Sequence, residues 1–265
     1  MVRKIVAPSI SWTEVLGDVR SERSSKPRKT GLTVVIDKFM SPSQLDQLLS
    51  DSAPFIDFVK LGFGTGVLLD DAVLRKKVEV ALRQNVAMLL GGTVFELAYR
   101  RDSVASYFDK LADLGINSVE ISDGSLIVEQ SAREKWIRRA RSMGFTVFAE
   151  IGKKDPRLKM EPEEILRQVE RDFSAGANWV IHEGRESGLG VGIYGRDGSV
   201  DESLFEKLVK SCDGVPTIWE APLKNQQAFL IQKLGPNVNL GNIQPTDVLA
   251  LEALRCRLRW ETIQP

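Results

Sequence analysis

Glu150 stands inside an apolar run, FAEIGKK at 148–154, and two lysines follow it directly after a glycine. A carboxylate withdrawn from water costs on the order of several kcal/mol unless a cation or a metal ion sits beside it. The same conflict recurs along the chain. Lys60 closes the apolar part of FIDFVKLGFG, Glu120 and Asp123 interrupt INSVEISDG, Glu183 and Arg185 end ANWVIHEGR, and Glu220 lies within PTIWEAP. Lys38 follows GLTVVID, Gly92 and Thr93 end NVAMLLGGT, and Asn239 and Asn242 lie in NVNLGNI. Acids gathered with no histidine or cysteine among them suit a hard cation, Mg2+ above all. Lysine ammonium groups and the Arg185 fork suit oxyanions. Glycines cluster at the same places, as in LGFGTG, GGT and EGRESGLGVG, where bare backbone lets N–H groups approach an anion. Lys60 could also carry Schiff-base chemistry, but nothing in the text singles out that role.

Such residues act together only if the fold collects them. Eight β-branched or apolar runs, at 31–38, 55–64, 85–92, 116–124, 145–152, 177–185, 216–222 and 237–243, alternate with helical patterns such as DAVLRKKVEVALRQ and AREKWIRRARSMG. Ser41-Pro42, Asp102, Glu161-Pro162, Asp201 and Gln244-Pro245 read as helix starts. Eight parallel strands with crossover helices over this length predict an α/β fold, a (β/α)8 TIM barrel at 31–265 behind an N-terminal extension at 1–30. A doubly wound open sheet is the alternative. Strand side chains alternate, so Val119 and Ile121 should face the helices while Ser118, Glu120 and Ser122 face inward. In a barrel the charged residues then converge at the rim formed by the C-terminal strand ends, where barrel active sites are built. The loops after the last two strands, 220–225 and 239–244, are the habitual phosphate position of that architecture.

Composition removes several function classes. Lys plus Arg equals Asp plus Glu at 36 each, so no net field draws the chain to nucleic acid or membrane, and an anion site must be local. No apolar run reaches the roughly 18 residues of a membrane span. The opening MVRKIVAPSISW lacks the apolar segment of a signal peptide, and two cysteines carry no metal spacing, so a cytoplasmic location is expected. The only histidine, His182, excludes a histidine-rich zinc site and should point away from the rim by parity with Glu183. The basic run RKTG reads as a solvated lead-in.

Taken in order, KPRKTGLTVVIDK, IDFVKLGFGT, GGTVFE, VEISDG, EIGKK, EGRESG, EAP, VNLGNI and LEALRCRLRWET resemble the phosphosulfolactate synthase family of coenzyme M and sulfolactate biosynthesis, from about Lys26 to Thr262. The resemblance implies a carbon–sulfur lyase on a (β/α)8 barrel. Its reaction would be the Mg2+-dependent addition of sulfite to phosphoenolpyruvate, giving (2R)-phospho-3-sulfolactate. Lys154, the second lysine of GKK, takes the general-acid position, with Glu150 and Lys60 completing the expected catalytic set. Glu120, Asp123 and Glu183 are the expected metal ligands or their supports. Lys38, Lys153, Arg185, Gly92, Thr93, Ser187, Asn239 and Asn242 are the expected substrate contacts, and relatives imply a homo-oligomer. The closing segment departs from the family pattern: Arg257 replaces a glycine and Trp260 a small residue, with consequences for the last helix or the anion accepted. Two alternatives share the barrel: a lyase using phosphoenolpyruvate with another nucleophile, and a non-catalytic protein like the heat-stress-associated plant relatives.

Overall fold

The computed structural model describes residues 10–263 except 159 and 213. Its centre is a closed barrel of eight parallel strands in sequence order: β1 (Thr33–Asp37), β2 (Phe58–Leu61), β3 (Ala87–Leu90), β4 (Ser118–Ile121), β5 (Thr146–Ile151), β6 (Trp179–His182), β7 (Thr217–Glu220) and β8 (Leu240–Ile243). Each lies inside a run read from the sequence. β8 returns to β1 with Thr33 opposite Leu240 and Val35 opposite Ile243, which closes the ring and excludes the open sheet.

A short helix, α1 (Trp12–Leu16), precedes the barrel. The crossovers are α2 (Pro42–Ser52), α3 (Asp71–Arg83), the pair α4 (Thr93–Arg100) and α5 (Val104–Asp113), α6 (Gln130–Ser142), α7 (Pro162–Ala175), α8 (Glu202–Ser211) and α9 (Lys224–Leu234). After β8 come α10 (Val248–Arg255) and α11 (Trp260–Ile263). Ser41 caps α2 in a capping box with Gln44, and Asp201 accepts from Leu204 N at 3.0 Å, as their sequence positions suggest. Asp102 differs. It takes a left-handed turn, φ 51°, between α4 and α5, and Ser103 occupies the N-cap of α5.

Parity holds on β4 and β5. Val119, Ile121, Val147 and Ala149 join the apolar layer between strands and helices. The interior is filled by Leu32, Val34, Phe58, Leu89, Phe148, Ile181 and Ile218, with Phe58 edge-on to Phe148 at 5.0 Å between ring centres. This apolar plug fills the lower barrel, so the polar residues one step further along each strand form a layer above it.

Below the plug, at the N-terminal strand ends, the segment before β1 is fastened to the barrel floor. Arg23 pairs with Glu252 at 3.0 Å, and Arg28 pairs with Asp57 at 3.2 Å and donates to Pro54 O at 2.8 Å. Arg28 is buried, which corrects the reading of RKTG as a solvated stretch: its guanidinium satisfies a buried acid and the carbonyl end of a helical turn. Among the described residues, no helix is long and apolar enough to cross a membrane.

Candidate active site

The C-terminal strand ends carry a buried layer of charge. Lys60, at the end of β2, sends its ammonium across the barrel to Glu220 Oε1 at 2.7 Å, Glu120 Oε2 at 3.1 Å and Glu150 Oε2 at 3.9 Å. Lys154, four residues beyond Glu150, returns to the mouth and meets Glu150 Oε1 at 3.2 Å and Glu183 Oε2 at 3.5 Å. The four glutamates are all at most 3% exposed. Backbone donors hold them in place: Gly92 N to Glu120 at 2.6 Å, Gly184 N to Glu220 at 3.0 Å and Arg185 N to Glu183 at 2.7 Å.

Two glycines make this density possible. A Cβ at Gly92 would lie 2.3 Å from Ser122 Cβ, so only bare backbone brings that N–H to Glu120. Gly152 turns the chain between Ile151 and Lys153 at φ 127°, and a Cβ there would lie 2.7 Å from Glu183 Cβ. Phe63, Arg185 and Asn242, none of them glycine, hold φ 56° at the mouth. Strained backbone of this kind persists where surrounding structure enforces it, and it concentrates at functional sites.

The electrostatics follow from four carboxylates meeting two ammonium groups. Burial lifts the Glu120 carboxyl; Lys60 opposes, while Glu150 and Glu220 reinforce, and it stands at about 8. Burial likewise pushes Glu183 well above the carboxylate range, with Glu150 and Glu220 adding and Lys154 opposing. Glu150 resolves the other way. Burial alone would raise it, but Lys154 and Lys60 hold it ionised below the usual range. Burial works against the charge on Lys60, yet Glu120 and Glu220 overcome it and keep the amine an ammonium. That leaves no free lone pair for Schiff-base chemistry. Lys154 is also held above the ordinary lysine value: burial opposes, while Glu150 and Glu183 prevail. It is a group equipped to hold a proton.

A cavity of about 240 Å³ opens above this layer, lined by Lys60, Gly92, Thr93, Glu120, Glu150, Lys154, Glu183, Arg185 and Asn242 among the expected residues, together with Glu220 and Phe63. Ligand oxygens of Glu150, Glu183 and Glu220 lie within 4.8 Å of one another, and Glu183 Oε2 is buried without a hydrogen-bond partner. An orphaned acceptor in an oxygen-only set fits a hard divalent cation. Of the acids expected at a metal, Glu183 belongs to this trio, whereas Glu120 is bonded to Lys60 and Gly92 N.

Other expected residues lie elsewhere. Asn239 is corrected: it sits at the floor, where its Oδ1 accepts from Leu32 N at 2.9 Å and its Nδ2 donates to Thr217 O at 2.8 Å. Position before rather than after the strand decided this. Asp123, expected at a metal, lies outside this trio, with its carboxylate engaged by Lys153 at 2.5 Å and Arg133 at 3.4 Å. Lys153 is therefore turned away from the cavity. Lys38 is exposed at the rim, with its ammonium 5.7 Å from the centre of the Phe63 ring. Ser187 does not line the cavity. His182 points outward as expected, stacked on Trp219 at 4.1 Å between ring centres, and burial pulls it down to about 4. Arg257 pairs with Glu22 at 2.9 Å near the floor and Trp260 is 74% exposed, so neither departure reaches the mouth.

One residue escaped the sequence reading. Glu96, on α4 and 1% exposed, accepts from Ser122 Oγ at 2.8 Å, and the same hydroxyl lies 2.9 Å from Glu150. An acid in the first turn of a helix reads as an ordinary dipole partner. Its burial is what marks it.

Known proteins share this arrangement of sequence and fold. The family model of (2R)-phospho-3-sulfolactate synthase (ComA) matches residues 21–261. A phosphosulfolactate synthase of Methanothermobacter thermautotrophicus is 41% identical over 91% of this chain and 94% of its own length. One of Bacillus subtilis is 36% identical over 91% and 95%. The crystal structure of a phosphonopyruvate hydrolase with oxalate and Mg2+ superposes with a TM-score of 0.56 at 14% identity, covering 84% of this chain and 79% of that one, a likeness of fold. With the family model spanning nearly the whole barrel, the chain belongs to the phosphosulfolactate synthase family.

Proposed function

We propose that the protein catalyses the Mg2+-dependent addition of sulfite to phosphoenolpyruvate, giving (2R)-phospho-3-sulfolactate, and so acts as a carbon–sulfur lyase. The observation that carries this reading is the meeting of Lys154 with the Glu150, Glu183 and Glu220 trio at one cavity. Sulfite forms a bond from sulfur to the CH2 carbon of phosphoenolpyruvate. The double-bond pair moves toward C2 and the carboxylate, and a proton must then reach C2.

Lys154 is the proton donor in this scheme. Its Nζ lies between Glu150 and Glu183 and opens on the cavity, and its raised affinity for a proton suits it to arrive at the reaction charged. Bound at Glu150, Glu183 and Glu220, Mg2+ would act as a Lewis acid toward the negative charge developing on the substrate carboxylate. Lys60 fixes three of the four glutamates and so preserves the geometry of the layer. Arg185 donates one Nη2 contact to the Lys154 carbonyl and presents the rest of its fork to an oxyanion. Thr93 opens α4 directly at the mouth, where the helix N-terminus suits the phosphate.

Incubating the purified protein with phosphoenolpyruvate, sulfite and Mg2+ should yield phosphosulfolactate by mass spectrometry, and EDTA should stop its formation. No product at neutral or mildly alkaline pH would remove this reading. Product formed equally in EDTA would remove its metal component.

A further inference from the structure

We propose that Lys153 and Asp123 form, with Arg133, an internal latch that sets the position of Lys154. They are positioning residues and contact neither substrate nor metal. This rests on the reading of Lys154 as proton donor.

The latch begins behind the mouth, between strand and helix. Arg133 on α6 is fully buried and clasps Asp172 of α7 through Nε at 2.9 Å and Nη2 at 2.7 Å. Its Nη2 also donates to the Glu150 carbonyl at 2.9 Å, and Nη1 reaches Asp123 Oδ1 at 3.4 Å. Asp123 Oδ2 then accepts from Lys153 Nζ at 2.5 Å, and the Asp123 carbonyl accepts from the same ammonium at 2.9 Å. One residue along on each side, Lys154 N donates to Gly124 O at 2.9 Å. The loop after β5 is thus sewn to the loop after β4 through both a side-chain pair and a backbone bond. On its far side the Lys154 carbonyl is held by Arg185.

Charge and burial separate this chain from the substrate cavity. Two carboxylates, Asp172 and Asp123, alternate with two cations, Arg133 and Lys153, so the string is neutral and offers no surplus charge to an anion. The Lys153 and Asp123 side chains are only 17% and 13% exposed, and neither lines the mouth cavity. The Gly152 turn sends Lys153 toward the β4 loop and so lets Lys154 return over Glu150 and Glu183. A proton donor misplaced by about 1 Å loses on the order of 100-fold in rate. Holding its neighbour is therefore a functional contribution.

Asp123→Asn and Lys153→Met, separately and together, test this by steady-state kinetics and by amide exchange of the peptide containing Lys154. Each single variant should lower kcat roughly 10- to 100-fold with KM little changed, and the double variant should be no worse than either one. Lys153→Arg should recover most of the loss. Exchange at the Lys154 amide should quicken in Asp123→Asn in the absence of any substrate. That arm tests the latch whatever reaction the enzyme performs, so a wild type without synthase activity and a failed latch give different results. A KM that rises more than kcat falls in Lys153→Met, multiplying effects in the double variant, or unchanged Lys154 exchange would overturn the proposal.

Discussion

The two ends of the barrel bury charge in opposite ways. At the floor, two buried cations meet acids and a third meets only carbonyl oxygens. Arg23 meets Glu252, Arg28 meets Asp57, and Arg255 donates to the Pro236, Val238 and Leu32 carbonyls. At the mouth, four glutamates crowd around two ammonium groups, and burial and mutual repulsion drive two of the acids away from ionisation. The floor uses charge to fasten the lead-in segment to the barrel. The mouth holds an imbalance that a divalent cation and a proton donor can relieve. Burial alone therefore does not separate structural from functional charge; the excess of acid at the mouth does.

The largest expected effect tests the mouth. Lys154→Ala should reduce kcat about 10²- to 10⁴-fold, the range of a positioned general acid, while phosphoenolpyruvate binding followed by calorimetry survives. Turnover within a few-fold of wild type would remove Lys154 from its role. At the floor the loss should appear in stability instead. Asp57 accepts from Arg28 and from Thr33 N at 2.9 Å, so Asp57→Ala strands a buried guanidinium and should cost roughly 3–5 kcal/mol in urea unfolding. The variant that remains folded should keep kcat and KM. If Asp57→Ala were stable but slow, the division between the two ends would collapse.

The sequence made the barrel legible because its strands are short, β-branched and regularly spaced, and parity then placed Glu120 and Glu150 in the same interior layer. Asn239 was misplaced by the same logic. NVNLGNI holds three asparagines, of which Asn239 and Asn242 stand three residues apart, and only the point where β8 begins, at Leu240, tells that Asn239 precedes the strand and Asn242 lies near its end. The latch was partly legible. Arg133 stands four residues before Ile137 and seven before Ala140, all buried on one face of α6, so a guanidinium occupies an apolar stripe. Its partner Asp172 lies 39 residues away in sequence, and spacing within one helix cannot name a partner on the next. Glu96 was hidden by the opposite fault, looking ordinary where it stands.

The smallest expected effect concerns pH, and here the two ends should diverge most cleanly. Glu120 has a folded value of about 8 against an ordinary 4.5, and Glu183 is raised as well. Between those values the folded state holds protons that the unfolded chain releases. The stability Glu120 contributes is therefore complete below about pH 4.5 and lost as pH rises through about 8, and Glu183 contributes in the same direction. Glu150, depressed by Lys154 and Lys60, contributes in the other direction, its share vanishing as pH falls below the carboxylate range. The metal-free protein should thus lose on the order of a few degrees of thermal midpoint between mildly acidic and mildly alkaline pH. On the proposed reading Mg2+ would bind the ionised carboxylates, so its stabilising effect should grow over the same interval and largely disappear in Glu183→Gln. Differential scanning fluorimetry at several pH values, with Mg2+ and with EDTA, reads both slopes. A midpoint that rises steadily with pH in EDTA, or a Mg2+ effect indifferent to pH and to Glu183→Gln, would show that the excess acid at the mouth is neutralised by something other than protons and a divalent cation.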